Sequence, residues 1–91
     1  MLNIFRIFLF ASKKMNIKSP LDQYVIEKVK EMRTARKVSQ IDLSQGAGFN
    51  DAFVGHCENP KRREKYNLQH LNAIAKFFGC SIKDFIPDAP L

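Results

Sequence analysis

The residue types that most often carry out chemistry are few in this sequence and form no recognisable reactive group. The two histidines, His56 and His70, and the two cysteines, Cys57 and Cys80, lack the spacing of a metal site. No paired carboxylates, no nucleophile beside a base and no glycine-rich phosphate loop can be identified. The cysteines lie among apolar residues, which indicates small buried side chains in a reducing compartment. We therefore expect no enzyme, no metal and no cofactor.

Positive charge is the strongest chemical signal. The 91 residues contain 15 Lys and Arg against 9 Asp and Glu, a net charge of +6 that favours a polyanionic partner. Four of the cations stand together around Glu64, as Lys61, Arg62, Arg63 and Lys65. Such a run can contact nucleic-acid phosphates, which sets affinity without reading sequence. The alternative interpretation is a solvated charged loop.

The elements that would position these residues are short helices. Caps, apolar spacing and helix breakers predict five helices and no strand, an all-α fold, over residues 18–88. The first helix begins at Ser19-Pro20 and runs to about Lys37. The second runs from Ser39 to about residues 46–48, the third from a cap at Asn50 to residues 59–60, the fourth from Asn67 to Gly79, and the last from Ser81 to Pro87.

Residues 1–17 are predicted to be an extension or arm ahead of this domain, and residues 89–91 a short tail. The apolar run of residues 1–11 is shorter than the roughly 20 residues that span a bilayer. Its charges follow the run, whereas those of a signal peptide precede it. Either Met15 is the true start, or the segment packs on the domain or on a second subunit. In both cases we expect a cytoplasmic protein without a membrane partner.

The second and third predicted helices are each about two turns long and flank a tight turn containing Gly48. A small residue there lets the helices cross steeply, and apolar residues face inward: Leu43, Ala47, Phe49, Val54 and Cys57. This is the helix-turn-helix arrangement, whose second helix enters the major groove of DNA.

Three stretches carry a resemblance to a known family. They read V-S-Q-x-x-L-S-x-x-A-G-F-N from Val38, V-G-x-C-E-N from Val54, and L-x-x-I-A-x-x-F-G-C-S-x-x-D-F from Leu71. Together they resemble the lambda-repressor-like, or xenobiotic-response-element, family over about residues 20–87. The resemblance implies a compact five-helix bundle that binds double-stranded DNA.

The resemblance also implies roles for individual residues. Ser39, Gln40 and the cationic run Lys61, Arg62, Arg63 and Lys65 are assigned to DNA phosphates. Arg33 and Glu58 match a structural pair that joins the first helix to the end of the third. The residues assigned to the base-facing surface are Asn50, Asp51, Ala52, Phe53, Gly55 and His56.

This base-facing surface differs from that of a simple repressor. It has no Arg, Lys or Gln between Asp51 and Glu58, although these types most often read guanine and adenine. Asp51 could accept a bond from cytosine or only favour the helix dipole, and His56 could donate to guanine. Ala52 or Phe53 could contact a thymine methyl group. DNA binding is therefore predicted in general, and base-specific reading is left open.

Two functions follow. The first is a DNA-binding transcription regulator of repressor type, acting as a homodimer on two half-sites, with a dimer contact at Phe85, Ile86 and Leu91 or through the N-terminal arm. The alternative is an antitoxin-like or accessory protein-interaction module, favoured by an exposed Phe53 on a weak recognition surface. No small-molecule ligand is expected, because no residues remain for a sensing domain.

Overall fold

The computed structural model describes residues 17–91 and consists there of helices without any strand. The helices are α1 (Pro20–Ala35), α2 (Gln40–Gly46), α3 (Phe53–Glu58) and α4 (Leu68–Phe78), followed by a 3-10 helix (Ile82–Phe85). The all-α prediction is confirmed for this part of the chain. The predictions for residues 1–16 lie outside the described residues. No helix within residues 17–91 has both the length and the apolar composition needed to cross a membrane.

The fifth predicted helix is not an α-helix but a single 3-10 turn. Its bonds run from Asp84 N–H to Ser81 O (3.0 Å) and from Ile86 N–H to Lys83 O (3.2 Å). Pro87 restricts the residue before it to extended backbone, and Ile86 has φ −107° and ψ 137°. Only four residues remain between Ser81 and Ile86, which favours i to i+3 bonds over a longer α-helix.

Helix α1 begins as predicted and ends slightly earlier than predicted. The Ser19 hydroxyl accepts from Asp22 N–H at 3.0 Å, and Pro20 occupies the first turn. The helix ends at Ala35 because Lys37 adopts a left-handed conformation (φ 60°) that reverses the chain. Val38 N–H then bonds back to Arg33 O at 3.0 Å. This reversal leads directly into the cap of α2.

The turn between α2 and α3 depends on Gly48, whose φ of 83° is costly for a residue with a Cβ atom. The buried Ser44 hydroxyl accepts from Val54 N–H at 3.1 Å, which links the two helices across the turn. The prediction that Asn50 caps α3 is wrong. Asn50 Oδ1 accepts from Ala52 N–H at 2.9 Å and closes a turn, and the helix begins only after Ala52.

The core lies between all four α-helices and the 3-10 turn. Its largest fully buried side chains are Phe85, Leu43, Ile74, Val29, Val54 and Cys57. Phe85 has no exposed surface, so it is unavailable for the dimer contact that sequence analysis assigned to it, whereas Ile86 and Leu91 are exposed. Both cysteines are free thiols, Cys57 buried and Cys80 half-buried.

Candidate nucleic-acid interface

The turn before α3 and the outer face of α3 present polar and small residues at the surface. Asn50, Asp51 and Ala52 are exposed, and Gly55 and His56 are half-buried. Gly55 and His56 lie three and four residues after Ala52, and these spacings place the three positions on one side of a helix. Gln45 of α2 donates from Nε2 to Asp51 Oδ1 at 3.2 Å and so restrains the Asp51 carboxylate. Five of the six predicted base-facing residues thus reach the surface together.

Phe53 does not belong to this surface. Its ring is half-buried and packs against the rings of His70 (centroids 4.6 Å apart), Phe49 (5.0 Å) and Tyr66 (5.9 Å). Burial of an aromatic ring between the turn and α4 is more favourable than its exposure to water. The predicted base contact of Phe53 does not fit this inward placement. The expectation of an exposed Phe53, on which the protein-interaction alternative depended, is wrong.

Glu58 holds the C-terminal end of α3 to the first two helices. Its carboxylate accepts from Arg33 Nε at 2.9 Å and from Arg33 Nη2 at 2.8 Å, a bidentate pair whose side chains are only 3% and 10% exposed. Arg33 Nη1 also donates to Val38 O at 2.9 Å. The pairing of Arg33 with Glu58 has the geometry that the resemblance implied for it.

Gln40 is the third donor to this carboxylate. Its Nε2 reaches Glu58 Oε1 at 2.8 Å, which connects the first residue of α2 to the last residue of α3. The side chain passes close to Gly55, where an added Cβ would lie 3.1 Å from Gln40 Oε1. Gly55 therefore gives Gln40 room to reach Glu58, although it weakens a short helix.

Lys18 is a structural residue that sequence analysis missed. Its Nζ donates to the carbonyl oxygens of Cys57 (2.5 Å) and Asn59 (3.0 Å), and the residue is only 5% exposed. A cation at the C-terminal end of a helix pairs with carbonyl groups that lack partners within the helix. No local pattern could have identified this role, because the partners lie about 40 residues away.

The cationic loop after α3 is exposed at all four positive residues, Lys61, Arg62, Arg63 and Lys65. Arg62 pairs with Glu64 through Nε (3.2 Å) and Nη2 (3.1 Å), and hydrogen bonding to Arg62 lowers the pKa of Glu64 to about 2. Lys65 pairs with Asp22 at 3.3 Å. Within residues 17–91, neither Lys61 nor Arg63 takes part in an ion pair.

This loop folds back against α3. Arg62 Nη2 lies 3.4 Å from His56 Nδ1, and Glu64 Oε2 lies 3.8 Å from the same ring nitrogen. Ser39, in contrast, uses its hydroxyl to cap α2 by accepting from Asp42 N–H at 3.0 Å. The loop and the outer face of α3 therefore form one surface that joins positive charge to hydrogen-bonding side chains.

The part of the chain that the structure describes contains no group of three or more His, Cys, Asp or Glu residues that could hold a metal ion. Burial raises the pKa of the Cys57 thiol to about 12, so this thiol stays protonated at neutral pH and is a poor nucleophile. The contacts that the structure gives for the side chains of this surface are hydrogen bonds and ion pairs.

A comparison with protein families identifies the family to which this helical arrangement belongs. The family described as Cro/C1-type HTH DNA-binding domain matches residues 28–90, from within α1 to beyond the 3-10 turn. The chain belongs to this family. No curated protein and no solved structure matches it. The lambda-repressor-like helix-turn-helix prediction is confirmed at the level of this family, and the Cro/C1-type domain includes α2, α3 and the cationic loop. Lys18 and Asp22 lie ahead of the matched residues.

Proposed function

We propose that this protein is a transcription repressor that places α3 in the major groove of double-stranded DNA. The observation that carries this proposal is the contact between the cationic loop and α3, in which Arg62 Nη2 approaches His56 Nδ1 to 3.4 Å. The contact places the loop that carries Lys61 and Arg63 beside the second helix of the helix-turn-helix, the helix that enters the major groove in proteins of this type. Phosphate contacts and base contacts can then form at the same time.

The phosphate contacts in this proposal centre on Lys61 and Arg63. Both are exposed and unpaired by any carboxylate in residues 17–91, so binding a phosphate breaks no ion pair of theirs. The second hydrogen of Gln40 Nε2 and the hydroxyl hydrogen of Ser39, which the bonds to Glu58 and Asp42 do not use, extend this contact to the start of α2. Lys65 is already paired with Asp22, whose carboxylate would repel a phosphate, so its contribution is smaller.

The base contacts in this proposal come from Asn50, Asp51, Ala52, Gly55 and His56. Asn50 and Asp51 supply polar groups at the start of α3, and Ala52 offers a methyl group that suits thymine. The small surface of one short helix limits the affinity of a single copy. Two copies on half-sites about one helical turn apart would increase both affinity and specificity.

The test uses the full chain and a library of fluorescent duplexes, with binding followed by anisotropy across a salt series. We expect selection of a roughly palindromic site, two copies per site, and a log–log salt slope of about −0.9 for each neutralised phosphate. A reporter with this site overlapping its promoter should then lose expression when the protein is present. Binding without sequence selection, or no binding at low salt, would contradict the proposal.

A further inference from the structure

The base-facing surface lacks a long cationic side chain within α3 itself. From Asp51 to Glu58 there is no Arg, Lys or Gln, the types that form bidentate contacts with purines in the major groove. The fold brings a guanidinium to this surface from outside the helix. This guanidinium belongs to Arg62, six residues after His56, whose Nη2 lies beside the His56 ring.

Arg62 is held in one orientation by Glu64. The carboxylate accepts from Arg62 Nε at 3.2 Å and from Nη2 at 3.1 Å, and Nη2 also approaches His56 Nδ1 at 3.4 Å. Nη1 takes part in none of these contacts. The Arg62 side chain is 46% exposed and that of His56 is 38% exposed, so both can contact a ligand.

The contact between Arg62 and His56 fits the ring tautomer that carries its proton on Nε2. A guanidinium is only a donor, so in this tautomer His56 Nδ1 accepts from it. The groups left over for a ligand are then all donors, namely the Nη1 hydrogens of Arg62 and Nε2–H of His56. Guanine presents two acceptors, N7 and O6, on its major-groove edge, whereas adenine presents one acceptor and one donor.

We propose that Arg62 and His56 together form a guanine-reading site at the C-terminal end of α3. Glu64 is the positioning residue of this site, since it fixes the guanidinium beside the imidazole. The inference rests on the proposed function and adds to it a specific base preference and the residues responsible.

Charge explains why Arg62 differs from its neighbours in the loop. The Arg62–Glu64 pair has no net charge, and a phosphate approaching it would meet the Glu64 carboxylate as well as the guanidinium. A neutral base edge experiences less of this repulsion and still receives directed hydrogen bonds. Lys61 and Arg63, which have no carboxylate partner in the described residues, are better suited to phosphates.

The experiment compares base preferences of the wild type with those of Arg62→Ala, His56→Ala, Glu64→Gln and, as a matched control, Arg63→Ala. We expect Arg62→Ala to reduce discrimination for guanine at one base pair in each half-site by about 5- to 150-fold. His56→Ala and Glu64→Gln should weaken the preference at the same base pair. Arg63→Ala should instead weaken binding to all sequences alike and reduce the salt slope by about 1.

The outcomes separate this inference from the proposed function. If Arg62→Ala lowers affinity uniformly, as Arg63→Ala is expected to do, Arg62 contacts a phosphate and the guanine site is wrong. If wild-type protein selects no sequence or binds no duplex, the proposed function fails before any variant is compared, and the guanine site fails with it. Circular dichroism of each variant verifies that these exposed substitutions leave the fold intact.

Discussion

Glu58 shows how one residue joins three segments of the Cro/C1-type domain. Its carboxylate receives three side-chain hydrogen bonds, two from Arg33 and one from Gln40, while only 3% of its side chain is exposed. Burial of a charge without such partners would be strongly unfavourable. The carboxylate is therefore stable only while its partners are in place, and the Arg33 guanidinium depends on it equally.

We predict that Glu58→Ala lowers the free energy of unfolding by about 3–5 kcal/mol, because it leaves the Arg33 charge buried without a partner. The matched control is Glu31→Ala, which removes an exposed pair with Lys28 (3.5 Å) and should cost about 1 kcal/mol or less. Urea denaturation of both variants gives the comparison. Similar losses in the two variants would contradict the structural role of Glu58.

His70 links stability to pH. Burial lowers the pKa of His70 from its ordinary value of 6.5, and its Nδ1 accepts from Asn67 N–H at 3.0 Å in the cap of α4. Since the folded-state pKa lies below the unfolded one, the unfolded chain binds the proton more readily. The stabilising contribution is complete above the unfolded pKa and is lost as pH falls through the folded pKa.

We therefore expect the wild type to be less stable at pH 5.5 than at pH 7.5, measured by urea denaturation in the same buffer system. His70→Gln cannot be protonated, so its loss of stability over this range should be smaller. An equal loss in both proteins would show that His70 does not contribute to the pH dependence.

Among the elements, the end of α2 and the end of α4 approach each other closely. Gly46 is the last residue of α2, and a Cβ atom there would overlap the ring of Phe77 in α4. Phe77 is 39% exposed, so its ring can turn towards solvent, but it then loses the packing of its buried part. A side chain at position 46 would therefore disturb the contact between these two helices.

We predict that Gly46→Ala destabilises the wild type by about 1–3 kcal/mol, as overpacking substitutions do. In a Phe77→Ala background the overlap is absent, and the same change should cost nothing or stabilise by up to about 1 kcal/mol. A double-mutant cycle from urea denaturation measures this coupling. Additive effects would mean that the two helices do not meet as described.

On the scale of the whole molecule, we expect DNA binding to depend more on where the positive charges lie than on the net charge. At 0.1 M salt, exposed charges more than about 10 Å apart are largely screened. A protein that binds DNA through one loop should therefore be sensitive to charge changes in that loop and tolerant of them elsewhere.

We predict that the double variant Lys61→Glu, Arg63→Glu abolishes binding to the selected duplex at 0.1 M salt. The control is Lys76→Glu, Lys83→Glu, which makes the same change in net charge on α4 and the 3-10 turn and should retain most of the affinity. Fluorescence anisotropy measures both. Equal losses would assign binding to overall charge and not to the loop.

The elements were largely predictable from the sequence because helix ends depend on neighbouring residues. The caps at Ser19 and Asn67 and the stop at Gly79 act within a few residues, and all three are present. The helix predictions were wrong where a local sequence pattern is compatible with two backbone structures. Asn50 closes a turn ahead of α3 although its residue type suits a helix cap, and the segment after Ser81 was too short for an α-helix.

The sequence by itself determined the all-α composition and the helix-turn-helix pattern, since both depend on local spacing of apolar, capping and small residues. Only the tertiary structure decided the direction and partners of the side chains. It turned Phe53 inward, placed Lys18 at the end of α3 and brought Arg62 beside His56. These contacts join separate structural segments, in the case of Lys18 about 40 residues apart, and such contacts arise only when whole elements pack together.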